Sequence, residues 1–117
     1  MVDKLHPHSH SQLSAELKGI APEQLRNAAM LSGLLVSAAS AAGCAPMGLP
    51  VVRDLPNGIS AMLLMESAHI VIHTIPDRQT LLFDALAPAS HDFRKALEVF
   101  SRRLIARDVK TDTRVRG

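Results

Sequence analysis

A chain of 117 residues that is 47% hydrophobic can bury one modest core and is too short for two. It has no tryptophan or tyrosine and only three phenylalanines, so the core must be aliphatic and base stacking on aromatic platforms is excluded. The net charge of +2 gathers in the tail Arg102 to Arg116, where Asp108 and Asp112 interrupt it, which marks a solvated end and not a nucleic-acid patch.

Residues 1–9 read as a flexible polar tail ahead of a single domain over 10–117. His6, His8 and His10 alternate there, but no cysteine or carboxylate stands beside them to complete a metal site. Gln12 to Leu17 alternates as a first strand. Pro22 suits the first turn of a helix whose stripe is Leu31, Leu34, Leu35, Ala38, Ala39 and Ala42, with Gly43 as its stop. The apolar run Ala28 to Ala42 is broken by Ser32, Gly33, Ser37 and Ser40. It is short for a membrane span and lies too far in for a signal peptide, and Cys44 as the lone cysteine suits a reducing compartment, so a soluble cytoplasmic protein is expected.

Two prolines and a glycine leave Ala45 to Val52 as an irregular edge strand, and Asp54 to Gly58, "DLPNG", is a turn signal. Ile59–Met65, His69–Ile75 and Leu81–Leu86 follow as strands. Phe93, Ala96, Leu97, Phe100 and Leu104 mark a second amphipathic helix with Ser90 as its cap, and Val109–Val115 is a terminal strand. The expected architecture is α+β, a mostly antiparallel sheet with two helices packed on one face.

The stretch "MESAHIVIHT" concentrates the polar chemistry. If Ile59–Met65 and His69–Ile75 form a hairpin turning between Glu66 and Ser67, Ser60 falls opposite His73. Period-two alternation puts Ser67, His69, Val71 and His73 on one face, so a serine, two histidines and a glutamate share the hairpin. An ordinary buried hairpin explains the spacing as well. No aspartate completes a hydrolytic triad, and His69 and His73 are spaced to converge on a helix, not on a strand, which argues against zinc.

The whole segment "GISAMLLMESAHIVIHTIPD", followed by "FDALAP", resembles the bacterial S-adenosylmethionine decarboxylases, proenzymes that make their own pyruvoyl cofactor. The likeness runs without gaps over roughly residues 10–107, with Gly58, Ser60 and Asp84 correctly spaced. It implies a carboxy-lyase of polyamine-type metabolism, a covalent pyruvoyl group that forms a Schiff base with a small-molecule amine, and a homodimer, with no nucleic-acid or membrane partner. By the same resemblance Glu66 and Ser67 flank the cleavage point, Ala68 holds the cofactor position, and Ser60 and His73 are the processing pair. Asp77 matches the residue that holds the ribose hydroxyls, and His69 is a further pocket residue.

The departures are as informative as the match. The pyruvoyl-forming serine falls on Ala68, which has no hydroxyl from which to make the ester or the ketone. The catalytic cysteine falls on Pro88, with Cys44 far away in sequence. The two aromatic residues that sandwich adenine fall on Asp54 and Ile75, so a smaller basic substrate such as ornithine or arginine is an alternative, as is a non-catalytic binding or regulatory homologue. Three readings of Ala68 stand open: a homologue that never processes, cleavage at Ser67 through a shifted register, or a replaced serine whose parent reads "ESSHIVIHT".

Overall fold

The computed structural model describes residues 9–116. Its elements run β1 (His10–Lys18), α1 (Pro22–Leu25), α2 (Ala28–Ala41), β2 (Val51–Leu55), β3 (Gly58–Met65), β4 (Ala68–Ile75), β5 (Thr80–Pro88), α3 (Arg94–Arg103) and β6 (Asp108–Arg116), with a short 3-10 turn at Pro76–Arg78 before β5. The strands form one sheet in the order β2-β3-β4-β5-β1-β6. Every pairing is antiparallel. The expected α+β architecture is the observed one. Of the expected tail, residues 1–8 lie outside the described residues. Ser9 is buried, and its carbonyl accepts from Ala89 N–H at 3.0 Å, so the β1–β5 ladder starts before the tail was expected to end.

Two expectations about helices need correction. The single helix from Pro22 is two, broken at Arg26–Asn27, because Asn27 caps a new start by accepting from Met30 N–H at 3.1 Å. Ser90 does not cap α3. Asp92 Oδ1 accepts from Arg94 N–H at 3.0 Å instead, being closer to the helix start and a stronger acceptor. The stripe on α2 is as expected, with Leu31, Leu34, Leu35, Ala38 and Ala39 buried.

Alternation along the strands gives the sheet two unlike faces. Leu13, Ala15 and Leu17 of β1, Ile59, Ala61, Leu63 and Met65 of β3, Ala68, Ile70 and Ile72 of β4, and Leu81, Phe83 and Ala85 of β5 are buried under the helices. Phe83 and Phe100 meet edge to face across this layer, ring centroids 5.7 Å apart. Among the described residues the opposite face carries no helix. It presents Ser60, Met62 and Leu64 of β3, His69, Val71 and His73 of β4, Leu82, Asp84 and Leu86 of β5, and Gln12 and Ser14 of β1, all exposed or half-buried.

The start of the hairpin is pinned by a buried hydroxyl. Thr74 Oγ1 accepts from Ile59 N–H at 2.9 Å and donates to the Leu25 carbonyl at 2.8 Å, tying β3, β4 and α1 together. Gly58, at φ 149°, lies so close to the Thr74 carbonyl that any Cβ would collide with backbone, which accounts for a glycine at this spacing. Replacing Thr74→Val removes both bonds and strands two backbone groups away from water. Unfolding in urea should show a loss of about 1–3 kcal/mol with an unchanged m-value.

Candidate active site

The β3–β4 register centres the turn between Glu66 and Ser67, so Met65 faces Ala68 and Ser60 faces His73. Ser60 Oγ and His73 Nδ1 are 2.7 Å apart. With Nδ1 unprotonated, the hydroxyl donates to the imidazole, which can then take its proton. The ladder from Ser60 to Met65 and from Ala68 to His73 contains no bulge, so nothing in it absorbs a one-residue slip. The alternation expected of Ser67, His69, Val71 and His73 holds for the last three. Ser67 sits in the turn itself with a left-handed backbone, φ 57°.

The structure divides the expected site residues between the two ends of this hairpin. Ser60 and His73 are at the β3 start, and Asp77 follows in the 3-10 turn after β4. The Asp77 side chain is 93% exposed and meets Arg26 at 3.8 Å. Ile75 is half-buried opposite Thr80. Asp54 is exposed on edge strand β2 opposite Ile59, whereas its neighbour Arg53 faces Ser60. Arg53, not Asp54, lines the shallow cavity of about 170 Å³ that holds Ser60 and His73.

At the other end stand Glu66, Ser67 and Ala68. Ala68 is only 4% exposed, and its side chain points to the helix-covered face, away from Ser60 and His73. His69 lies between, half-buried on the open face, opposite Leu64 and Leu86. Five strand steps separate His73 from Ala68, roughly 17 Å at strand rise. Within one chain, therefore, the hydroxyl–imidazole pair and the turn do not meet.

Two residues at the turn were not singled out by their sequence positions. His10, expected only as part of an alternating histidine run, begins β1 and places Nε2 3.0 Å from the Ser67 carbonyl oxygen. Cys44 is brought to the turn by the end of α2. Gly43 adopts φ 79°, its N–H bonds to the Ser40 carbonyl and Cys44 N–H bonds to the Ala39 carbonyl, closing a Schellman motif. The following loop is tied to β3 through a Pro46–Met65 bridge and Met47 N–H to the Leu64 carbonyl at 2.8 Å. Cys44 thus lines a cavity of about 460 Å³ with Glu66 and His91. Asp84, on the open face, accepts from Ser14 Oγ at 2.9 Å and Gln12 Nε2 at 3.1 Å beside a second cavity of about 510 Å³. Among the described residues no cluster of three or more histidine, cysteine or carboxylate side chains is arranged to hold a metal.

This fold and hairpin are matched by known proteins. A family model described as S-adenosylmethionine decarboxylase matches residues 11–117. The chain belongs to the S-adenosylmethionine decarboxylase family. It is similar to the S-adenosylmethionine decarboxylase proenzyme of Symbiobacterium thermophilum, with 28% identity over 65 residues, which are 56% of this chain and 49% of that protein. The match thus spans about half the length of that curated relative. The fold is similar to the adenosylmethionine decarboxylase of Aquifex aeolicus, with a TM-score of 0.82 at 19% identity over 92% of this chain and 90% of that chain.

The pyruvoyl group that the S-adenosylmethionine decarboxylase family implies is made from a serine, whose hydroxyl first forms the ester and then leaves with the upstream chain. Ala68 supplies no such hydroxyl, so the residues present do not fit the group. The Cys44 thiol cannot stand in for it, and desolvation by partial burial pushes this thiol above the ordinary cysteine range, leaving it protonated at neutral pH. Alkylation of Cys44 by iodoacetamide should therefore be slower than that of a cysteine peptide near pH 8. Its rate should keep rising beyond the pH at which the peptide levels off, and coincident profiles would show an unshifted thiol.

Proposed function

We propose that the chain is an uncleaved member of the pyruvoyl-dependent decarboxylases, retaining the apparatus of self-processing and lacking its nucleophile. The observation that carries this reading is the 2.7 Å Ser60–His73 contact on a hairpin whose turn ends in Ala68. The pair is a hydroxyl and an imidazole in proton-transfer distance, on the face that no helix covers. The unbroken register favours loss of the serine at position 68 over cleavage displaced to Ser67, since displacement requires a slip of the ladder.

Because the pair lies roughly 17 Å along the strand from position 68, it acts on the turn of a second copy, not on its own. Two open faces packed together in a homodimer cover Met62 and Leu64, which are 37% and 52% exposed here, and bring one copy's His73 toward its partner's turn. A cytoplasmic carboxy-lyase of polyamine-type metabolism is the role this implies for a form of the chain with serine at 68. The missing hydroxyl supports a second reading, a binding or regulatory homologue that pairs with an active relative. On substrate, the aliphatic Ile75 favours a smaller amine-bearing amino acid over an adenine-bearing one, although Asp54 is not brought to the Ser60–His73 cavity as a partner for its cation.

Intact mass tests the processing reading. The parent chain with its Ala68 should give one full-length species, and Ala68→Ser should give two fragments parted between residues 67 and 68. A fully folded Ala68→Ser protein that stays whole overturns the reading. Carbon dioxide release by the cleaved variant from S-adenosylmethionine, ornithine and arginine then identifies the substrate. The paired arrangement has its own test. In Ala68→Ser, a further His73→Ala should slow cleavage by about 10²–10⁴-fold, and co-expression with the parent chain, which supplies an intact His73, should restore it. Failure of the parent to restore cleavage would place the pair in action on its own chain.

A further inference from the structure

We propose that His10 is the donor that stabilises negative charge on the Ser67 carbonyl oxygen during acyl transfer to a hydroxyl at position 68. The inference deepens the processing reading and rests on it. His10 Nε2 stands 3.0 Å from this oxygen. A carbonyl can only accept, so Nε2 carries the proton of this bond. The oxygen belongs to the peptide that links residue 67 to residue 68, which is the bond the proposed cleavage breaks.

The surrounding ladder explains why a side chain, and not the backbone, takes this oxygen. The β4–β5 pairs end at His69 and Leu86, and beyond them the two chains continue to Ser67 in its turn and to Pro88 at the end of β5. Proline has no N–H, and the ladder cannot supply a backbone donor there. Pro88 in turn faces His10 across β5 and β1. The imidazole is thus two strands away in the sheet and reaches over the proline to the free carbonyl. Ser67, at φ 57°, holds a left-handed backbone that a serine adopts only at a cost, and the bond from His10 helps to fix it.

Faces and directions are compatible with chemistry at this peptide. His10 is half-buried and shares the open face with Gln12 and Ser14, whereas the side chain of residue 68 points to the helix-covered face. A hydroxyl at 68 and the His10 N–H therefore approach the peptide from different sides. In the transfer, the hydroxyl oxygen adds to the Ser67 carbonyl carbon and its proton passes to a base. The electron pair of the C=O moves onto the oxygen that His10 faces. On collapse the C–N bond breaks, the nitrogen takes up a proton, and an ester joins residue 67 to the side chain at 68. No atom is gained or lost and nothing is oxidised.

The test follows the rate of chain cleavage in Ala68→Ser by intact mass, and ester formation by trapping with hydroxylamine. Adding His10→Ala should slow both by about 100-fold, the usual effect of removing one donor to such an oxygen. Adding His10→Gln, whose side-chain amide can donate, should recover part of that loss. Thermal melting of each protein checks that the variants fold equally well, since a purely structural anchor would lower the melting point of His10→Ala without a separate defect in rate. Equal cleavage rates with and without His10 in equally folded proteins overturn the role of His10 and leave the processing reading standing. An intact Ala68→Ser protein, with His10 in place and no hydroxylamine adduct, overturns both.

Discussion

A two-residue turn at Glu66–Ser67 fixes the register of β3 on β4, and through that register the place of every polar group in the site. With the turn set there, Ser60 must face His73 and Met65 must face Ala68. A slip of one residue would carry Ile70 and Ile72 to the open face and His69 and His73 into the core, a change that the buried face cannot tolerate. The register is held from both ends. Ser67 adopts its left-handed turn conformation at one, and Thr74 joins Ile59 and Leu25 at the other, where Gly58 admits the close approach of backbone. The 2.7 Å hydroxyl–imidazole contact is therefore a consequence of the hairpin as a whole and needs no further support from its neighbours.

The two faces of the sheet divide the work. The helix-covered face is almost wholly aliphatic, with the Phe83–Phe100 contact its one aromatic pair, and its burial supplies the driving force for folding. The open face interleaves Met62, Leu64, Val71, Leu82 and Leu86 with Ser60, His69, His73, Asp84, Gln12 and Ser14. Such a mixture suits a surface that is covered by another layer while keeping polar groups in place for chemistry. Ala68 belongs to the first face by its side chain, and the carbonyl before it is reached from the second through His10.

Features that depend on period and local chemistry were legible in the sequence. Alternation placed β3, β4 and β5 to within two residues at each end, and the α2 stripe emerged from Leu31 to Ala39. The Ser60–His73 pairing followed from the turn alone. Asn27 lies just before the apolar run that begins at Ala28, and reading one helix from Pro22 passes over its capping role. Ser90 is the cap expected for α3, and the backbone path instead brings Asp92 to the Arg94 N–H. The turn cluster was less accessible for a different reason. Cys44 reaches Glu66 through a Schellman closure and a bridge to β3, and His10 reaches Ser67 because β1 inserts between β5 and β6. Strand order in a sheet is a property of the whole chain, and no local window around His10 contains it.

Pro88 illustrates how one residue can alter a site without touching the chemistry itself. A residue with a backbone N–H at this point of β5 could pair with the Ser67 carbonyl and extend the β4–β5 ladder by another bond. Proline has no N–H to offer, and that oxygen is met by a side chain. The position that the family likeness assigns to a cysteine thus becomes, in this chain, the gap over which His10 reaches, at 3.0 Å from the oxygen. The imidazole's bond is directional and charge-responsive in a way that a thiol at 88 is not, since an N–H donor on a ring that can become cationic strengthens as its acceptor becomes negative. Pro88 on β5 and His10 at the start of β1, distant in the sequence, are paired in the folded chain beside one carbonyl.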